Sequence, residues 1–279
     1  MFYIEIAVIV LATLVTVGFL LRWYDSIIKM WPTNRGTLSR GVLGALPLVA
    51  FALIILTLHF FTIVSFENNV QDVFMYIALG FTAINFGMSV LSSTFDLSWL
   101  DDALLLDNRA ALPAVSGAFM GFTLIYCGAN IGKHTDWWQV AMPGVLAFAI
   151  FVVLGLIFNQ FTLAVERVTV ERDSACGVRL GAYLLACGVL LARAAAGDWL
   201  KPVATLIGFS DAWPTVPLTV FAILVEKLHV SRVHRDPERD PSTLRNAAFW
   251  SGLYLFIAIA MILYFVGPPA KSPLTEFML

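Results

Sequence analysis

Apolar runs of about twenty residues recur along this 279-residue chain, and they constrain its fold more than any other feature. A hydrocarbon layer about 30 Å thick is crossed by roughly 20 helical residues, because each residue adds about 1.5 Å of rise. In lipid every backbone N–H and C=O has to bond within the protein, so only helices and closed barrels can span it. A barrel strand alternates apolar and polar residues, whereas these runs are continuously apolar. The sequence therefore predicts an all-α polytopic membrane bundle of about eight transmembrane helices. They fall over 2–23, 41–66, 72–94, 110–132, 138–162, 175–196, 213–229 and 246–267. Composition agrees: 59% of the residues are hydrophobic and 13% are charged, where a soluble domain carries about 25%. The opening "MFYIEIAVIV" has neither a basic segment nor a small-residue cleavage site, so it reads as a retained span.

Basic residues set the direction of the spans. Segments 22–40, 95–109, 163–174 and 227–245 hold Arg22, Lys29, Arg35, Arg40, Arg109, Arg167, Arg172, Lys227, Arg232, Arg235, Arg239 and Arg245. The opposite segments and the termini hold Lys133, Lys201 and Lys271, with Arg193 near a helix end. Cytoplasmic loops carry such an excess, so both termini are expected outside. The longest polar stretch, "EKLHVSRVHRDPERDPSTLRN" over 226–246, contains two Asp-Pro steps that end helices. It reads as a solvated cytoplasmic loop, with a docking site for a cytoplasmic partner as the sharper alternative. Glu226 and Lys227 mark the inner boundary of the seventh helix. Segment 197–212 is expected along the outer interface, with Trp199 at head-group level.

One junction is written twice. "LLLDNRAALPAVSGAFMG" begins at Leu104, and "TVERDSACGVRLGAYLL" begins sixty-five residues later. At that offset Asn108 aligns with Asp173, Ala110 with Ala175 and Gly132 with Gly197. Asn and Asp cap helices, because the side chain accepts a bond from an otherwise orphaned N–H. The helices that follow carry small residues four apart: Gly117 with Gly121, Gly128 with Gly132, and Gly177 with Gly181. That spacing lets backbones approach closely where association depends on packing. The hairpins 72–132 and 138–197 therefore read as a parallel duplication about an axis along the membrane normal. Three regions follow: 1–71 with two N-terminal spans, a duplicated four-helix core over 72–199, and 200–279 with two C-terminal spans.

"LDNRAALPAVSGAFMGFTL" with "ERDSACGVRLGAYLLACGVLLARAAAG" resembles the duplicated small-residue pattern of a bacterial inner-membrane family. This is domain of unknown function three hundred and fifty, typified by the YjfL-like proteins. The likeness covers roughly 72–199, with Asp173 in place of the second Asn and Pro113 interrupting the first small-residue run. It implies four-helix units in a bacterial inner membrane, working with cytoplasmic partners, and it brings no catalytic residue.

Polar groups inside a membrane are functional hypotheses by default. Asn85 lies mid-span with Ser89, Ser92 and Ser93 following, either as interhelical glue or as the lining of a path. Arg179 sits two turns inside the sixth span, within reach of Asp101, Asp102 or Asp107. Arg193 and Asn130 share a depth near the outer face, where Asp136 and Asp198 could neutralise the arginine. His59 stands alone in "LTLHFFTIV" and reads as a hydrogen-bonded interior histidine. Four scattered histidines give no metal spacing, and Cys127, Cys176 and Cys187 read as small hydrophobes. No phosphate-binding or nucleophile-elbow motif is present, so no cofactor, metal or catalytic residue is expected. A net charge of -2 gives no footprint for nucleic acid. The leading expectation is a non-enzymatic scaffold or accessory subunit, contacting lipids and forming a homo-oligomer or membrane complex. A small-solute or ion channel is the alternative. A lipid-modifying enzyme would need Asp96, Asp101, Asp102 and Asp107 to converge with Arg109 and Arg179 on a cavity open to the bilayer.

Overall fold

The computed structural model describes residues 2–29, 37–61, 70–132, 138–197, 202–235 and 244–267. Helices dominate: α1 (Phe2–Lys29), α2 (Thr37–Phe61), α3 (Val70–Phe95), α4 (Ala111–Ala129), α5 (Trp138–Thr162), α6 (Ala164–Thr169), α7 (Ser174–Ala195), α8 (Pro202–Gly208), α9 (Thr215–Arg235) and α10 (Leu244–Met261). A short, wide-turned helix over Trp99–Leu105 precedes α4, and no β-strand occurs among the described residues. Eight segments are long and apolar enough to cross a membrane, each overlapping one expected span.

The largest difference is at the seventh. It runs over Thr205–His229 rather than 213–229, so much of the segment expected along the outer interface is helical and joins the span. The join is a tight turn over Phe209–Ala212, where Thr215 Oγ1 donates to the Ala212 carbonyl at 2.7 Å. Pro214 and Pro217 are tolerated because the first turn of α9 has no intrahelical partner for their missing N–H groups. At the far end α4 stops at Ala129, before Gly132, whose φ of 139° lies outside helical geometry.

The two Gly- and Ala-rich helices form the centre. Over an eighteen-residue apolar stretch of each, α4 and α7 are 78% and 72% buried, against 22% in α1 and 11% in the last span. They touch backbone to backbone along their length. A Cβ added at Gly177 would fall 2.0 Å from the Ala110 carbonyl oxygen, one at Gly117 2.1 Å from that of Gly181, and one at Gly128 2.1 Å from that of Ala192. These pairs advance together, so α4 and α7 run the same way. Glycine is the residue that permits this approach, and in lipid the gain is dispersion and Cα–H contact over a long, flush seam.

The other helices dress this pair. Trp23 of α1 donates its indole N–H to the Leu43 carbonyl of α2 at 2.9 Å and stacks on Trp99, ring centroids 3.9 Å apart. Thr16 Oγ1 donates to the Ala78 carbonyl of α3 at 2.8 Å, and Tyr126 of α4 donates to the Tyr76 carbonyl. On the other side α10 lies along α7 in the same direction. Ser251 Oγ donates to the Val178 carbonyl at 3.3 Å, and Arg193 Nε donates to the Gly267 carbonyl at 2.8 Å. Outward faces of α1, α5 and α10 expose Leu11, Leu14, Val145, Phe256 and Leu263, as a hydrocarbon-facing surface requires.

Candidate functional site

Positions sixty-five residues apart share local geometry at the start of α4 and α7. Asp102, Asn108 and Leu112 donate their N–H groups to the carbonyls of Ser98, Asp102 and Asn108, at 3.0 to 3.1 Å. Arg167, Asp173 and Gly177 do the same to Leu163, Arg167 and Asp173, also at 3.0 to 3.1 Å. Asp107 (φ 45°) and Arg172 (φ 56°) are both left-handed, a conformation uncommon for residues with a Cβ. Asn108 Oδ1 accepts from Ala110 N at 2.9 Å, and Asp173 Oδ1 accepts from Cys176 N at 2.9 Å. Each side chain thus satisfies N–H groups that an opening helix leaves without partners. Asn108, 1% exposed, also donates from Nδ2 to the Val168 carbonyl at 2.8 Å, tying the first junction to the second.

Beyond the caps the two junctions differ, and the difference is charged. Arg179 of α7 is 0% exposed and faces Glu226 of α9, which is 1% exposed. Arg179 Nε donates to Glu226 Oε1, and its Nη2 donates to Oε2 at 3.0 Å. Arg167 of α6 donates from Nη1 to the same Oε2 at 2.8 Å and from Nη2 to Asp173 Oδ2 at 2.5 Å. Two guanidinium groups and two carboxylates therefore interlock across α6, α7 and α9, with formal charges that cancel. Burial works against the charge on Arg167, but Cys176, Glu226 and Asp173 outweigh it and its pKa lies above the ordinary value. One turn further along α7, the Tyr183 hydroxyl bonds Thr219 of α9 at 2.9 Å. Breaking a buried ion pair by removing one partner costs about 3–5 kcal/mol, because the other charge is left uncompensated. The cluster consequently fixes α9 against α7.

Arg179 therefore bonds Glu226, a carboxylate it shares with Arg167, and not Asp101, Asp102 or Asp107. Those aspartates serve the linker. Asp101 Oδ2 accepts from Ser98 Oγ at 3.0 Å, Asp102 Oδ2 accepts from Ser98 N at 2.7 Å, and Asp107 Oδ1 accepts from Ser39 Oγ at 2.7 Å. Asp96 and Asp101 are exposed, so the acidic segment does not converge on a common cavity. Asn85 is half-buried on α3, while Ser89 and Ser93 are exposed and donate to the Asn85 and Val90 carbonyls of their own helix. Gly117, Gly121, Gly177 and Gly181 meet the facing helix, as does Gly128, while Gly132 lies just beyond α4. Gly132 and Gly197 share positive φ, and Gly197 N donates to the Ile131 carbonyl at 3.0 Å.

His59 corrects one reading. It is exposed on α2 with its ring against Phe60 at 4.7 Å, not interior. Arg193 lies 3.9 Å from Asp211, while Asp136 and Asp198 lie outside the described residues. So do residues 236–243 of the expected docking loop. Among the described residues no group of three or more His, Cys, Asp or Glu could hold a metal ion. Glu226 is what sequence reasoning missed. It looked like a boundary residue, yet α9 continues helically to Arg235, which sets Glu226 a turn deeper. The signal was a carboxylate directly following "FAILV", opposite an arginine placed two turns inside another span.

Fold and site together define a helical, multi-pass membrane protein with a glycine-sealed central helix pair and an internal ion cluster. The chain belongs to the family described as Domain of Unknown Function (DUF350), whose sequence profile matches residues 49–196. That match begins within α2, earlier than the four-helix region over 72–199, and ends at the close of α7. No curated protein and no solved structure matches the chain.

Proposed function

We propose that this protein is a non-enzymatic inner-membrane scaffold or accessory subunit, built on a duplicated four-helix core and assembled with copies of itself or other membrane proteins. One observation carries the reading: the buried charges of Arg167, Arg179 and Glu226, with the part-buried Asp173, form a chain of ion pairs that holds α9 in place. A catalytic centre keeps reactive groups open to substrate, whereas these carboxylates are engaged by guanidinium groups. The anchored helix runs past the end of its span at His229 to Arg235, carrying the first part of the basic 226–246 segment that would meet a cytoplasmic partner. The shared geometry sixty-five residues apart supports the duplication. The exposed Ser89 and Ser93 on α3 support assembly, since a polar stripe on a membrane helix is better covered by another helix than by lipid. The positive-inside asymmetry supports both termini outside.

A photoreactive amino acid at Ser89 and, separately, at Ser231 tests this in intact membranes. The expected result is a discrete self-adduct from Ser89 and a discrete protein adduct from Ser231, with no current from the purified protein in planar bilayers. Absence of both adducts together with a steady conductance would overturn it in favour of a channel.

A further inference from the structure

Two buried polar groups beside the ion cluster have no protein partner among the described residues: Arg179 Nη1 and the Tyr254 hydroxyl. Arg179 is 0% exposed and Tyr254 1%. They belong to facing helices, α7 and α10, and the Ser251–Val178 bond one turn earlier on α10 sets them at similar depth. Tyr254 lies within electrostatic range of Arg179, Glu226 and Cys176, and its ring packs edge-on against Phe221 of α9. Leaving a guanidinium N–H and a phenol unbonded in such a place is costly, since bulk water and lipid head groups do not reach a fully buried atom.

We propose that Arg179 Nη1 and Tyr254 Oη form a binding site for one small monovalent anion, of the size of a halide or formate. The chemistry follows from the donor count. Arginine offers only donors, the phenol has a donor to give, and both oxygens of Glu226 already accept from guanidinium groups. The free valences are therefore donors, and they select an acceptor. The surrounding formal charges sum to zero, so a divalent anion would be left heavily uncompensated in a low dielectric, whereas a single charge is within what two charge-assisted and phenolic bonds can hold. Full burial of both groups admits only a small ion and rules out a phospholipid head group.

The proposal goes beyond the assembly role and does not depend on it. Its test uses the full-length protein in phosphatidylethanolamine–phosphatidylglycerol nanodiscs, with sodium bromide or formate titrated against gluconate at fixed ionic strength. A ligand that binds the folded state raises the thermal midpoint saturably. The expected result is a saturating rise in the native protein and about a tenfold higher half-saturating concentration in Tyr254→Phe, the loss of one bond of the site. Tyr254→Phe removes an oxygen and keeps the ring, so folding is retained; Arg179→Lys, which lacks Nη1, should abolish saturation if it folds. A midpoint that does not respond, or a response identical in Tyr254→Phe, overturns the proposal and leaves the two groups to bound water. Crosslinking from Ser89 and Ser231 is read separately, so loss of the anion site and loss of the assembly are distinguishable.

Discussion

Gly117 and Gly181 lie on parallel helices so close that a Cβ on Gly117 would stand 2.1 Å from the Gly181 carbonyl oxygen. No side-chain rotation relieves such a contact, because the obstacle is backbone. The central pair of helices is therefore specified by the absence of atoms at a few positions.

Gly181→Ala is expected to destabilise by more than the 1–3 kcal/mol typical of overpacking, since its Cβ would meet the Pro113 carbonyl oxygen at 2.2 Å. Gly252→Ala is the control. Nothing lies within 4 Å of a Cβ there, and alanine favours the helix by about 1 kcal/mol. Thermal unfolding in nanodiscs should place the two variants on opposite sides of the native midpoint.

Glu226→Gln should cost about 3–5 kcal/mol, because Arg179 would lose its carboxylate partner and Arg167 would keep only the part-buried Asp173. The double variant Arg179→Met with Glu226→Leu should be less damaging than Glu226→Gln alone. Apolar groups of similar volume need no counter-charge. A double-mutant cycle on unfolding midpoints reads the coupling, and additive losses would speak against an interlocked cluster.

Asp173 does two jobs, as cap of α7 and as partner of Arg167. Asp173→Asn keeps the acceptor for Cys176 N and loses the ion pair, while Asp173→Ala loses both. The second should fall below the first by about 1 kcal/mol, the usual worth of a cap. Equal losses would mean that the cap contributes nothing here.

Leu163 is left-handed at φ 52° where α5 gives way to α6, and its side chain is exposed. Glycine adopts that geometry without the Cβ penalty, which is about 1 kcal/mol. Leu163→Gly is therefore expected to leave stability unchanged or raise it slightly, despite removing a large side chain. A loss above about 1 kcal/mol in the same unfolding assay would show that the exposed leucine packs against something in the membrane.

Much of the architecture was legible because bilayers enforce simple rules. Length and apolarity located eight helices, and the Gly spacing in α4 and α7 marked the seam that the structure closes at Gly117, Gly128, Gly177 and Gly181. Asn108 and Asp173 were readable as caps because capping is local. The Arg179–Glu226 pair was not, since forty-seven residues separate its members and the apparent end of the seventh helix disguised Glu226. Tyr254 was invisible for a related reason. A tyrosine in "WSGLYLFIAIAM" is ordinary at a membrane, and only the docking of α10 on α7 buries its hydroxyl beside an arginine.

The assembly role is tested most directly by crosslinking from Ser89 in intact membranes. A discrete self-adduct that disappears when the photoreactive residue is moved to buried Met88 is the expected result. Lipid adducts alone from Ser89, in a protein that also conducts ions after purification, would contradict it.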